Sequence, residues 1–72
     1  MKTTVKYYKE VETNETLAVF INTLNKGILD VYSPTDGHTR ASFNYVVSLP
    51  EASKAEKIRM KKLLQAIGYI NV

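Results

Sequence analysis

The chain has 72 residues, with ten Lys and Arg against seven Asp and Glu, one histidine and no cysteine. This length fits a single domain, residues 1–72, which buries only about 60 % of the surface of its unfolded form, so its stability margin is thin. Disulfides are excluded, and a closed zinc site is not expected because it needs four ligands. If the domain needs further stabilisation, self-association is the remaining route.

The net charge of +3 is unevenly distributed: the charges of residues 1–50 cancel, and residues 51–72 carry the whole excess. The first ten residues lack the apolar core of a signal peptide. The longest apolar run is the five residues 17–21, far short of the ~20 needed to cross a bilayer. We therefore expect a soluble, cytoplasmic protein without a membrane partner.

The first two elements are predicted to be strands. Residues 3–12 alternate between apolar and polar side chains, which is typical of a strand with one solvated face. Residues 16–24 are ambiguous, because their apolar residues recur at i, i+3, i+4 and i+7, as in a helix. β-Branched and aromatic residues are frequent there, however, and turn residues flank the segment on both sides. A strand is favoured.

The middle of the chain predicts a hairpin. Residues 28–33 form a short strand candidate, and residues 34–37, Pro-Thr-Asp-Gly, are typical of a turn. Residues 39–49 then alternate over eleven positions, with Val46 as the exception, and predict a strand. Pro50 ends it, because proline donates no hydrogen bond to a sheet.

The C-terminal segment predicts an amphipathic helix over residues 51–67. Pro50 fits the first turn of a helix, Glu51 lies near its positive end, and Gly68 is suited to follow its last residue. Residues 69–72 alternate and are expected to add a short edge strand or to pack against the sheet.

These elements predict an α+β fold, in which an antiparallel meander of three or four strands carries one C-terminal helix on one face. A single helix leaves the other face of the sheet open, although residues 17–24 place apolar side chains on both faces. We therefore expect a partner on the open face, with Tyr8, Val19 and Ile21 as candidate interface residues and a homodimer as the first expectation.

Several short segments between residues 15 and 69 resemble a group of short bacterial proteins found in chromosomes, phages and plasmids. These are residues 16–20 (Thr-Leu-Ala-Val-Phe), residues 31–33 (Val-Tyr-Ser), Gly37-His38 and the final Ile67-Gly68-Tyr69. The chain departs from the pattern of that group at Ile21, where proline is common, and at residues 36–38, which read Asp-Gly-His in place of Gly-Gln-His. The resemblance favours a strand over residues 16–23 and implies no activity.

The loop of interest comprises Asp36, Gly37, His38 and Arg40. His38 is the only side chain with an ordinary pKa near neutrality, and Ser33 and Ser42 lie close to it in sequence. Neither a nucleophile motif nor a glycine-rich phosphate loop accompanies it, so we expect His38 to hold the preceding turn rather than to act in catalysis. No enzyme activity, cofactor, metal or small-molecule ligand is predicted.

Four lysines of the predicted helix are candidate nucleic-acid contacts. Lys54, Lys57 and Lys61 fall within about 60° of one another on a helical projection, with Lys62 beside them. Such a stripe suits the phosphate backbone, although lysine-rich helix faces are also common on surfaces that bind nothing. The predicted function is therefore a small non-catalytic protein-interaction module that self-associates, and the alternative is a nucleic-acid-binding accessory protein.

Overall fold

Four consecutive antiparallel strands form one sheet in the computed structural model, which describes residues 4–69. The strands are β1 (Val5–Glu10), β2 (Glu15–Asn25), β3 (Ile28–Ser33) and β4 (Gly37–Ser42), and they lie in the sheet in chain order. Two helices follow, α1 (Phe43–Val47) and α2 (Lys54–Ala66). The predicted α+β meander with a C-terminal helix is confirmed. The predicted edge strand over residues 69–72 falls mostly outside the described residues.

The ambiguous second segment is a strand. β2 lies inside the sheet, between β1 and β3, and its residues 17–20 are buried on both faces of the sheet. Its apolar spacing therefore serves the two faces of a strand and not one face of a helix. Lys26 and Gly27 both have positive φ, 52° and 79°, and form the two-residue turn that joins Asn25 to Ile28. This turn geometry matches the twist of the flanking strands and favours the hairpin.

The predicted strand over residues 39–49 is wrong beyond Ser42, where the chain turns into the short helix α1. The Ser42 hydroxyl accepts a hydrogen bond from the backbone N–H of Tyr45 at 3.2 Å, which caps the helix N-terminus. At the other end, the Ser48 hydroxyl donates to the Tyr45 carbonyl at 2.6 Å. Side-chain bonds of serine at both ends compete successfully with strand pairing here.

α2 begins three residues later than predicted. Its N-cap is Ser53, whose hydroxyl accepts from the Glu56 N–H while the Glu56 carboxylate accepts from the Ser53 N–H, a complete capping box. The hydrogen bond from the Ser53 N–H to the carboxylate is the main cause that lowers the pKa of Glu56, with smaller contributions from the Ser53 side chain and Lys9. Pro50 lies outside the helix, and its carbonyl accepts a hydrogen bond from the Lys9 N–H at 2.9 Å.

The two helices cover opposite faces of the sheet. The register places Ala18, Tyr32 and His38 on the face under α2, where Met60 and Leu64 are buried. On the other face Val46 of α1 is buried against four sheet residues: Leu17, Val19, Leu29 and Val31. The predicted open face is therefore closed by α1, the element that the sequence pattern assigned to the sheet.

The connection between the helices protects one edge of the sheet. Residues 50–52 run along the outer side of β1, where the Ala52 N–H donates to the Tyr7 carbonyl at 3.2 Å and Tyr8 forms a bridge with Glu51. The chain thus passes from the α1 face to the α2 face around β1. Neither helix is long and apolar enough to cross a membrane, which holds for the described part of the chain.

Candidate interaction surfaces

The residues predicted to form an interface on an open face do not form an accessible surface. Val19 is 0 % exposed in the cluster beneath α1, and Tyr8 and Ile21 are half-buried against the same cluster. The prediction is corrected because it depended on a bare sheet face, and α1 with Leu49 covers that face.

The accessible part of the sheet is the outer edge of residues 37–42, which we call the β4 edge. Over residues 4–69 no strand pairs with this edge, whereas the outer edge of β1 is bonded to residues 50–52. Four of the six β4 residues are exposed: His38, Thr39, Arg40 and Ser42. An unpaired strand edge is a template for pairing with another chain.

An apolar hollow lies at the C-terminal end of the β4 edge. This hairpin hollow has a volume of about 300 Å³ and is lined by Leu24, Lys26, Gly27, Phe43 and Asn44. It forms because the Phe43 N–H donates to the Gly27 carbonyl at 2.8 Å, which holds the start of α1 beside the β2–β3 turn. Leu24 and Phe43 are 48 % and 41 % exposed, and Val47, one helical turn beyond Phe43, is 51 % exposed. These three side chains place exposed apolar surface beside the unpaired β4 edge.

The predicted loop of interest is divided between a turn and the start of β4. The Asp36 N–H donates to the Ser33 hydroxyl at 3.2 Å, so the turn is held by the buried Ser33 and not, as the sequence predicts, by His38. Gly37 has φ of 69°, a conformation that favours glycine. Arg40 forms an exposed ion pair with Asp30 of β3 at 3.5 Å.

His38 lies in an aromatic cluster on the α2 face. Its ring centroid is 4.9 Å from that of Tyr32 and 6.1 Å from that of Phe20, and its Nε2 is 3.4 Å from the Tyr69 hydroxyl. Ser33 points to the opposite face, because it follows Tyr32, which is the residue that pairs with His38. The structure therefore does not assemble the serine, histidine and aspartate into one site.

The four lysines predicted as nucleic-acid contacts do not share one environment in the structure. Lys57 is half-buried and pairs with Glu51 at 3.7 Å, whereas Lys54, Lys61 and Lys62 are exposed. Arg59 of the same helix is exposed as well. Within residues 4–69 no ion pair is formed by Lys54, Arg59, Lys61 or Lys62.

A second hollow, of about 420 Å³, lies where α2 meets the β1–β2 and β3–β4 turns, and its lining includes Pro34, Arg59, Met60 and Leu63. Its volume lies within the range of about 300–1,000 Å³ that is usual for ligand pockets. Its two carboxylates are already engaged: Glu15 accepts a hydrogen bond from the Thr35 hydroxyl, and Glu56 serves the α2 cap. Among the described residues, no group of three or more histidine or acidic side chains is arranged to hold a metal ion.

Comparison of the chain with family models, curated proteins and solved structures finds no match. The resemblance to short bacterial, phage and plasmid proteins remains a prediction.

Proposed function

We propose that this protein is a small non-catalytic interaction module that self-associates through the β4 edge. The observation that carries this proposal is the difference between the two sheet edges: the β1 edge is bonded to residues 50–52, whereas the β4 edge is unpaired over residues 4–69 and ends at an apolar hollow. A cytoplasmic location, expected from the sequence, belongs to the same proposal.

A second copy fits the β4 edge by antiparallel pairing. A two-fold axis at Thr39 sets Gly37 of one copy opposite Ala41 of the other, so that directly opposed side chains share a face, as in an ordinary antiparallel ladder. The β3–β4 turn of each copy then lies beside the hairpin hollow of the other. Pro34 would cover Leu24 and Phe43, and the pairing would join two four-stranded sheets into one of eight strands.

Charge favours this arrangement between identical molecules. Asp36 in the turn of one copy approaches Lys26 in the hollow of the other, which gives two attractive contacts per dimer. Asp30 and Arg40 already neutralise each other at the edge. The excess of +3 resides in residues 51–72, outside the pairing surface, so two copies meet without strong repulsion.

The test is a charge-reversal cycle measured by sedimentation equilibrium from about 5 μM to 1 mM. A six-residue strand pair with a small apolar hollow is a small interface, and we expect a dissociation constant on the order of 10 μM. Lys26→Asp and Asp36→Lys should each weaken the dimer about tenfold at low salt, because each turns two attractive contacts repulsive. The double variant should restore the wild-type affinity.

Leu24→Glu supplies a test without charge pairing, because it places a carboxylate in the hollow and should abolish the dimer. Its matched control is Ile58→Glu, since Ile58 is equally exposed, at 49 %, but lies on α2. A monomer at 1 mM, or a dimer weakened equally by both glutamates, would contradict the proposal.

A further inference from the structure

The acidic residues of the C-terminal segment are committed to contacts within the fold. Glu56 completes the α2 capping box and pairs with Lys9 at 3.4 Å, and Glu51 pairs with Lys57 at 3.7 Å. The segment therefore leaves a set of exposed cations without an acidic partner in the described residues. We call this set the α2 basic face: Lys54, Arg59, Lys61 and Lys62.

The four cations lie on the side of α2 that faces away from the sheet. At 100° per residue they fall within an arc of about 160° centred opposite the buried Met60 and Leu64. From Lys54 to Lys62 the helix rises about 12 Å, at 1.5 Å per residue. Ile58 is the large apolar side chain within this arc, so the surface offers charge rather than an apolar face.

We infer that the α2 basic face binds the phosphate backbone of double-stranded nucleic acid. A duplex carries one negative charge about every 1.7 Å along its axis, so the 12 Å of this helix can engage all four cations at once. Binding through lysine and arginine to phosphate carries no base specificity. An anionic membrane fits less well, because insertion needs an apolar helix face and the apolar face of α2 is packed on the sheet.

Binding at α2 is independent of self-association, but pairing at the β4 edge would strengthen it. The two-fold axis of that pairing is perpendicular to the sheet, so both copies of α2 lie on the same side. With about 4.8 Å between strands and α2 over β1 and β2, the two helices lie about 30 Å apart, close to the ~34 Å of one duplex turn. The strengthening by pairing depends on the proposed dimer, whereas binding at α2 of a single copy does not.

The experiment is fluorescence anisotropy with a labelled 20-base-pair DNA duplex of arbitrary sequence, between 50 and 200 mM NaCl. The Leu24→Glu monomer should bind with a slope of log K against log salt of about −3.6, a loss of about 150-fold over that range. Lys54→Gln, Lys61→Gln and Lys62→Gln should each lower the slope by about 0.9. The wild-type dimer should show a steeper slope than the monomer.

Lys6→Gln is the matched control, because it makes the same change of charge on β1 and should leave the slope unchanged. An equal loss in Lys6→Gln and Lys61→Gln, a flat salt response, or tighter binding to polyaspartate than to DNA at equal charge concentration would each overturn the inference. Binding by the monomer without a steeper slope for wild type would contradict only the paired arrangement. Circular dichroism melting of each variant separates lost binding from lost folding.

Discussion

Replacing Val46 by alanine tests whether α1 closes one face of the sheet. Val46 is 1 % exposed and packs against Leu17, Val19, Leu29 and Val31. The substitution removes two methyl groups from the core, worth about 1.6 kcal/mol in transfer free energy. A residual cavity of about 40 Å³ adds about 1 kcal/mol, so the free energy of unfolding should fall by about 2–3 kcal/mol.

That loss is large for a domain of this length, whose total stability is about 4–11 kcal/mol. The melting temperature should fall by about 10–20 °C, since one kcal/mol corresponds to about 4–8 °C in domains of 60–100 residues. Thermal and urea unfolding followed by far-ultraviolet circular dichroism give both numbers. The hydrophobic dye ANS should also bind more strongly to the variant once the face is loosened.

Val47→Ala is the matched control, because it changes the same residue type in the same helix at a position that is 51 % exposed. Any gain in helix propensity is common to the two variants and cancels in their comparison. Val47→Ala should change the free energy of unfolding by no more than about 0.5 kcal/mol. Equal effects of the two substitutions would mean that α1 does not cover the sheet as described.

Three further predictions concern the α2 cap and the core. Ser53→Ala removes the N-cap and should cost about 1 kcal/mol in urea unfolding, with no change in the dimer dissociation constant. The pKa of Glu56 is lowered on folding from its ordinary 4.5. The contribution of Glu56 to the free energy of unfolding is therefore present above pH 4.5 and is lost as the pH falls through the folded-state pKa. The stability difference between wild type and Glu56→Gln should shrink on acidification and stay constant from pH 6 to 8. Tyr7→Phe should leave stability unchanged or raise it by up to about 1 kcal/mol, since the buried Tyr7 hydroxyl has no hydrogen-bond partner among residues 4–69 and burial raises its pKa. A loss above 1 kcal/mol would show that this hydroxyl is hydrogen-bonded.

The sequence predicts the strand order and the C-terminal helix because strong local signals agree with the fold there. Turn residues separate the strands, and Lys26-Gly27 adopts the positive φ that a two-residue hairpin turn needs. The central position of β2 also follows from its apolar residues on both faces. These signals act within a few residues of where they occur, so no tertiary information is needed.

α1 is missed because its pattern imitates a strand. The alternation places Phe43, Tyr45 and Val47 on one face of a predicted strand. All three are exposed in the structure, and Val46, the exception to the alternation, is the buried residue. A five-residue helix is too short for helical periodicity to be visible, and only Ser42 as a possible N-cap marked its start.

The candidate surfaces show the same division between local and tertiary information. The exposed lysines of α2 could be read from the sequence, but the loss of Lys57 to Glu51 could not, because Glu51 precedes the helix and lies against β1. The hairpin hollow also escaped prediction, since Leu24 and Phe43 are 19 residues apart in sequence. They are brought together by the pairing of Ile28 with Ser42 and by the hydrogen bond between Phe43 and Gly27. The Ser53-x-x-Glu56 capping box, by contrast, was a readable signal.

The most direct test of pairing at the β4 edge is amide hydrogen exchange measured by NMR at about 5 μM and about 1 mM. We expect the outward N–H groups of Gly37–Ser42 to become protected as the concentration rises. The Lys9 N–H, already bonded to the Pro50 carbonyl, should exchange at the same rate in both samples. Unchanged exchange along β4, or protection that rises on β1 instead, would contradict pairing at the β4 edge.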